Sequence, residues 1–268
     1  MSRARRVVIA SVAAGAALAG WGVRALLVRQ AAVARERIGK PLGEDSIPAD
    51  RIWSRKLDGE PIELLVLGDS LAAGLGVEHR KQTLGGRVAK GLARRMSRPV
   101  RLCTAAVVGS ESKALEGQLD ALPGDYRPDV AVVIVGGNDV THLVYPAVAA
   151  GQLHRAIRRL RDLGTRVVVG TCPDLGAIRP VPQPLRGIMS RMSQHMAIAQ
   201  TRAARHAGAV PVSLRRALRT AFRDDPDGMF SLDRFHPSAA GYRRTAEALL
   251  PAVEQAARRS GPAFSGSQ

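Results

Sequence analysis

Ser70 lies in Gly68-Asp69-Ser70-Leu71, directly after the apolar run 62–67. A serine held at the end of a strand can attack a carbonyl, provided a base within hydrogen-bond reach takes its proton. Far downstream, Asp233-Arg234-Phe235-His236-Pro237 supplies such a base. A carboxylate three residues before an imidazole can meet it over one turn and fix its tautomer. The second ring nitrogen is then left to accept the serine proton. Taken singly, each motif has a plainer reading: Asp and Ser are common turn formers, and an Asp-x-x-His pair can be surface capping.

Two turns between these motifs add donors. Gly109, in Val107-Val108-Gly109-Ser110, permits a backbone conformation that aims an N–H at a developing oxyanion. Asn138, in Gly136-Gly137-Asn138-Asp139, can offer a side-chain amide to the same charge, as can the N–H of Ser70. The alternatives are an ordinary turn glycine and an ordinary helix cap. Asp139 reads as structural. Of the other histidines, His142 lies near enough to Asn138 in sequence to be a candidate for the pocket wall. His79, His154, His195 and His206 have no comparable carboxylate arrangement.

These residues need elements to place them. Apolar runs at 62–67, 100–108, 130–135, 166–170 and 209–212 suit buried parallel strands. Helical patterns occupy 83–96, 112–122, 147–163, 188–207 and 238–258. Alternation of this kind predicts an α/β domain with a parallel sheet covered on both faces. Right-handed crossovers gather all carboxyl ends of the strands on one rim, where such folds bind ligands. Each of the four motifs falls at a strand end or just before a helix on that rim. No internal repeat is visible.

The ordered set Gly68-Asp69-Ser70-Leu71, Gly109, Gly136-x-Asn138-Asp139 and Asp233-x-x-His236 resembles the SGNH/GDSL hydrolase family over roughly residues 61–258. The resemblance implies a three-layer α/β/α, flavodoxin-like fold with five parallel strands. It implies Ser70 as nucleophile, His236 as base and Asp233 as the residue that orients it. The oxyanion hole would comprise the Ser70 and Gly109 N–H groups and the Asn138 amide. The nucleophile elbow of α/β-hydrolases is a different motif, since Ala72 stands where it requires glycine. There is no phosphate loop, dinucleotide fingerprint or H-E-x-x-H pattern, and no metal or organic cofactor is implied.

Composition narrows the partners. The chain has 268 residues, 46% of them hydrophobic, enough to bury a full core. The formal net charge of +17 favours anionic surfaces. The arginines are nevertheless scattered along helical segments rather than gathered in a stripe, and solvated helix faces account for them. Aromatics at 3% leave little for stacking on bases, so no nucleic-acid partner is expected. Cys103 and Cys172 lack metal-type spacing and read as small buried hydrophobes. A disulfide between them stays open for an exported chain.

At the amino end, Arg3, Arg5 and Arg6 precede an uncharged stretch from 7 to 23, the layout of an export signal. Ala17-Leu18-Ala19 offers a cleavage site. A retained anchor is the other reading, because the apolar run resumes after Arg24. Residues 1–28 are therefore expected to be a signal peptide or membrane anchor. Residues 29–60 are read as a short helix followed by a linker or arm, 61–260 as the hydrolase domain and 261–268 as a disordered tail. The expected location is exported, in the cell envelope, with a possible membrane or anionic envelope surface beside a small-molecule or lipid ester substrate.

Segments 71–81, 141–147, 172–187 and 224–232 are expected to wall the pocket. The expected function is a serine esterase acting on short or medium acyl esters or lipids. A carbohydrate or cell-wall O-acetylesterase is the alternative within the enzyme class. A non-catalytic envelope binding protein is the alternative outside it.

Overall fold

The structure, a computed structural model, describes residues 3–41, 43 and 45–260, with backbone alone for 3–19 and 260. The expected tail 261–268 and the side chains of the expected cleavage site lie outside this description. In chain order the elements are α1 (Arg3–Ile38), β1 (Arg51–Trp53), β2 (Ile62–Gly68), α2 (Ser70–Ala73), α3 (Leu84–Met96), β3 (Val100–Thr104), a 3₁₀ turn (Ser112–Ala114) and α4 (Leu115–Asp120). There follow β4 (Val130–Ile134), α5 (Gly137–Thr141), α6 (Pro146–Asp162), β5 (Arg166–Gly170), a second 3₁₀ turn (Leu175–Ala177) and α7 (Leu185–His206). β6 (Val210–Val212), α8 (Leu214–Asp224), α9 (Pro226–Met229) and α10 (Ala239–Ser260) complete the chain.

The strands form one sheet in the order β1-β3-β2-β4-β5-β6. The five strands β2 to β6 are parallel, as expected. β1 is a sixth strand, antiparallel to β3 at the edge, with Trp53 opposite Val100. It lies in the segment read from sequence as a linker. Three residues, two of them polar or β-branched, carry no periodicity long enough to announce a strand. The parallel order is that of doubly wound sheets whose crevice opens where the chain reverses direction. The reversal falls at β2, with β3 on one side and β4 on the other.

The near-continuous apolar runs of β2 and β4 are explained by burial on both faces. Leu64, Val66, Val130, Val132 and Ile134 face α3 and α10 on one side. Leu65, Leu67, Ala131, Val133 and Val135 face α4, α6 and the end of α7 on the other. Thr83 caps α3 by accepting from Gly86 N at 3.1 Å, and Ser213 caps α8 by accepting from Arg216 N at 3.3 Å. The apolar stretch 105–108 leaves the sheet earlier than the sequence predicts, because past Thr104 the chain turns toward Gly68 O, which accepts from Val107 N at 3.1 Å.

α1 is longer than the short helix expected after residue 28. Its last turns dock on the domain: Ala34 is buried beside Ile178 and Val181, and Gln30 donates to the Gln183 carbonyl while accepting from Leu185 N at 3.0 Å. Arg37 donates to Pro180 O at 3.4 Å. Among the described residues, no helix is long and apolar enough to cross a membrane. Cys103 and Cys172 are both free thiols, half-buried and buried respectively.

Candidate active site

Ser70 opens the four-residue helix α2, directly behind its cap Asp69, which accepts from Leu71 N at 3.0 Å. The sharp exit from β2 depends on Gly68, which has φ +133°. A Cβ there would stand 1.7 Å from Ile134 O, so no other residue fits without moving β4. Gln118 of α4 secures this point from below. It accepts from Gly68 N at 2.9 Å and donates to Gly68 O at 2.8 Å, and it also donates to Ser110 Oγ at 3.2 Å. One buried amide thus ties the strand end before Ser70 to the turn that holds Gly109.

His236 and Asp233 come from the loop before α10. The loop is narrowed by a bridge between Phe230 and Pro237, and Ser231 N donates to His236 O at 2.8 Å. Ser231 Oγ donates to Gly76 O at 2.8 Å, and the buried Tyr242 hydroxyl donates to Leu75 O at 2.6 Å. These bonds bring the loop and the start of α10 against the segment after α2, across 155 and 167 residues of sequence. His236 Nε2 then lies 2.9 Å from Ser70 Oγ, and His236 Nδ1 lies 2.5 Å from Asp233 Oδ2. The edge of Phe235 meets the His236 ring, centroids 4.8 Å apart.

Asp233 is 4% exposed and Ser70 9% exposed. Burial pushes the Asp233 carboxyl up. The His236 ring and the N–H groups of Phe235 and His236, both donating to Oδ1 at 2.9 Å, more than offset that and hold it below the ordinary carboxylate range. Asp233 is therefore an anion suited to holding Nδ1 protonated, with Nε2 facing the serine.

The two further donors arrive from β3 and β4. Gly109 turns at φ +81° in the loop after β3, and a Cβ there would meet nothing within 4 Å. Neither its N–H nor that of Ser70 is engaged by a backbone carbonyl among the described residues. Asn138 follows β4 in α5, and one N–H of its carboxamide donates to Ser110 O at 2.9 Å. That bond fixes the amide against the Gly109 turn and leaves its second N–H to donate elsewhere. Asp139 does what the sequence suggested: buried, it accepts from Ser112 N at 3.0 Å and Ser112 Oγ at 3.0 Å. Burial raises its carboxyl, opposed by those two donors.

A cavity of about 450 Å³ opens beside Ser70, Asn138 and His236. Its walls are only partly those expected. The segment Pro173 to Gly187 lines it extensively, but of 71–81 only Leu71 does, of 224–232 only Phe230, and of 141–147 nothing. His142 is not on the cavity. It is 58% exposed, with Nδ1 2.6 Å from Glu111 Oε1. The wall missed in sequence is α8, which contributes Arg215, Leu218, Arg219, Phe222 and Arg223. Its signal was present in the four-residue spacing of arginines on one helix face, with Leu218 and Phe222 as the apolar stripe beside them. Gln118 and Gln200 were also missed. Gln200 donates to Val135 O at 2.8 Å and accepts from Cys172 N at 2.7 Å, joining the ends of β4 and β5. A buried glutamine inside a helical pattern looks in sequence like a surface residue.

Residues 66–244 match the model of the GDSL-like Lipase/Acylhydrolase family. A GDSL-like esterase of Mycobacterium tuberculosis is 41% identical over 269 residues, covering 94% of this chain and 84% of that protein. Among solved structures, TesA superposes with a TM-score of 0.59 at 24% identity, over 72% of this chain and 99% of its own. A catalytic mutant of an acetylxylan esterase from Geobacillus stearothermophilus gives 0.55 at 18% identity, over 79% of this chain and 99% of its own. The likeness to these structures shows the three-layer fold.

Proposed function

The chain belongs to the GDSL-like lipase/acylhydrolase family and is a carboxylic ester hydrolase, and from that premise we propose that it works through an acyl-enzyme on Ser70. The observation that carries this reading is the line Asp233–His236–Ser70, with contacts of 2.5 and 2.9 Å.

The substrate carbonyl carbon is attacked by Ser70 Oγ as His236 Nε2 takes the hydroxyl proton. The carbonyl oxygen becomes an oxyanion facing the Ser70 and Gly109 N–H groups and the free N–H of Asn138. As the tetrahedral species collapses, the bond to the alcohol oxygen breaks and His236 returns the proton to it. A water molecule, deprotonated by the same nitrogen, then attacks the acyl carbon. Release of the acid restores the Ser70 hydroxyl. Asp233 keeps its charge throughout and stabilises the imidazolium formed in each half.

The test is a fluorophosphonate probe together with 4-nitrophenyl esters of increasing acyl length. The wild type is expected to form one adduct, on Ser70, and to hydrolyse the shorter esters. Ser70→Ala should lose the adduct and about 10⁴-fold or more of the rate. A labelled, fully active Ser70→Ala variant would sink the reading. The ester panel also addresses the O-acetylesterase alternative, which requires activity on acetylated glycan with little on butyryl or longer chains. The exported, envelope-held location remains part of the proposal, supported by the arginine-led apolar stretch at 7–23, and membrane fractionation of the full chain tests it.

A further inference from the structure

Five arginines, Arg179, Arg186, Arg215, Arg219 and Arg223, line the cavity that holds Ser70, against two carboxylates, Asp69 and Asp174. Both acids are occupied. Asp69 is buried as the cap of α2. Asp174 pairs with Arg215 at 2.8 Å and accepts from Ser190 Oγ at 2.7 Å. Arg223 reaches Asp224 at 2.9 Å, and Arg179 donates to Arg223 O at 3.3 Å. Arg186 and Arg219 have no acidic partner among the described residues, although both line the cavity.

With 40 lysines and arginines against 23 acids, unpaired cations are common on this chain, and what sets these apart is that they line a cavity. Some surface arginines meet acids, Arg95 and Arg258 sharing Glu254, Arg101 meeting Glu63 and Arg159 meeting Asp120, while others such as Arg202 and Arg216 have no acidic partner among the described residues. On α8 the sequence instead sets Arg215, Arg219 and Arg223 four residues apart, on one face turned to the cavity. Like charges at that spacing repel one another and destabilise a helix. Beneath them the wall is apolar, with Leu218, Phe222, Leu175 and Ile178. Low-dielectric walls under charges of one sign strengthen the field in the cleft and raise the local concentration of the opposite ion. A neutral acyl chain or an acetylated sugar has no use for that field.

The geometry points to an ester substrate that carries an oxyacid anion, carboxylate or phosphate, held by Arg186 and Arg219 while its ester carbonyl lies at Ser70. A guanidinium presents paired N–H donors that match either anion in a two-point contact. The anion takes no part in bond-making. It binds the substrate and sets its direction in the cleft. This inference rests on the esterase reading above and names the substrate class for it.

Two matched pairs of esters test it. Mono-4-nitrophenyl glutarate against 4-nitrophenyl valerate places a carboxylate on the acyl side. 4-(Butyryloxy)phenyl phosphate against 4-(hydroxymethyl)phenyl butyrate places a phosphate on the alcohol side. In at least one pair the wild type should prefer the anionic ester by about tenfold or more in kcat/KM, mostly through KM, and the preference should shrink as salt is added. Arg186→Gln and Arg219→Gln should each lower that ratio about tenfold, the size of one charge-assisted contact open to solvent. Arg216→Gln, an equal loss of charge on the outer face of α8, should keep it. The pair that shows the preference tells which side of the ester bears the anion. Anionic and neutral esters turned over equally in both pairs, or a preference that survives loss of both arginines, would overturn the inference and leave the esterase reading standing. Failure on all four esters, with no fluorophosphonate adduct, would remove both.

Discussion

At the carboxyl ends of β2 to β4 the polar side chains that shape the site are bonded to one another. Gln118 engages both backbone groups of Gly68, Asp139 holds Ser112, Asn138 holds Ser110, and Asp233 accepts from two N–H groups and the imidazole. Across the cavity, the wall made by residues 173–187 and α8 presents cations, of which Arg179, Arg186 and Arg219 meet no acid among the described residues. The first region fixes atoms before any substrate arrives. The second leaves its charges to be answered by something outside the chain. A site of this kind is preorganised for the reaction and discriminating in what it admits, because the two tasks fall to different elements.

The comparison can be broken at the rim first. Asp233→Asn should leave the fold intact and lower kcat by about 10⁴, since the neutral amide no longer selects the tautomer that faces Ser70. A loss below about tenfold would mean that the 2.5 Å contact is structural. Asn138→Ala should cost about 10²–10³ in kcat with KM little changed, as expected of a donor that strengthens only toward the oxyanion. If KM rises and kcat holds, Asn138 binds the ground state and belongs with the wall.

Gln118→Leu sharpens the distinction between making contact with substrate and positioning what does. It strips the partners from a buried N–H and C=O at Gly68, which should lower stability by about 2 kcal/mol in urea denaturation and kcat by about tenfold. Unchanged kcat beside lowered stability would confine Gln118 to the fold.

The smallest effect concerns Asp69. Burial is the main reason its carboxyl is raised to about 6, opposed by the Leu71 N–H and the His236 ring. Unfolded, it would titrate near 3.8. Between those values the native chain holds the proton that the unfolded chain has released, so this group lowers stability as pH rises through about 4 to 6. Asp69→Asn keeps an acceptor for Leu71 N and removes the titration. The difference in unfolding free energy between variant and wild type should therefore move in the variant's favour by about 1–2 kcal/mol across that range. A difference that stays flat with pH would refute the raised carboxyl.

Much of this fold is written in two-sided burial. The continuous apolar runs of β2, β4 and β5 declare parallel strands, and with them the rim that collects Ser70, Gly109 and Asn138. β1 escaped notice because three residues of an edge strand bury a single side chain, Trp53, and need no pattern. Gln118 and Gln200 escaped because a helical periodicity assigns faces by polarity, and a buried polar residue contradicts its own face. His142 was misplaced for a simpler reason. Nearness to Asn138 in sequence says nothing about which way a helix turns its side chains, and this one turns to Glu111. The pocket wall was hardest to read, because α8 becomes a wall only when the chain has returned to the sheet after β6.

The grip of Gln30 and Arg37 on the carbonyls of Gln183 and Pro180 has a practical corollary. Chain shortened to start at residue 39 would leave the proline-rich lip of the cleft without its outer brace, and Ile178 and Val181 without the cover of Ala34. Such a trimmed product should show weaker substrate capture with the Ser70–His236 chemistry intact. The choice of starting residue is thus a kinetic variable.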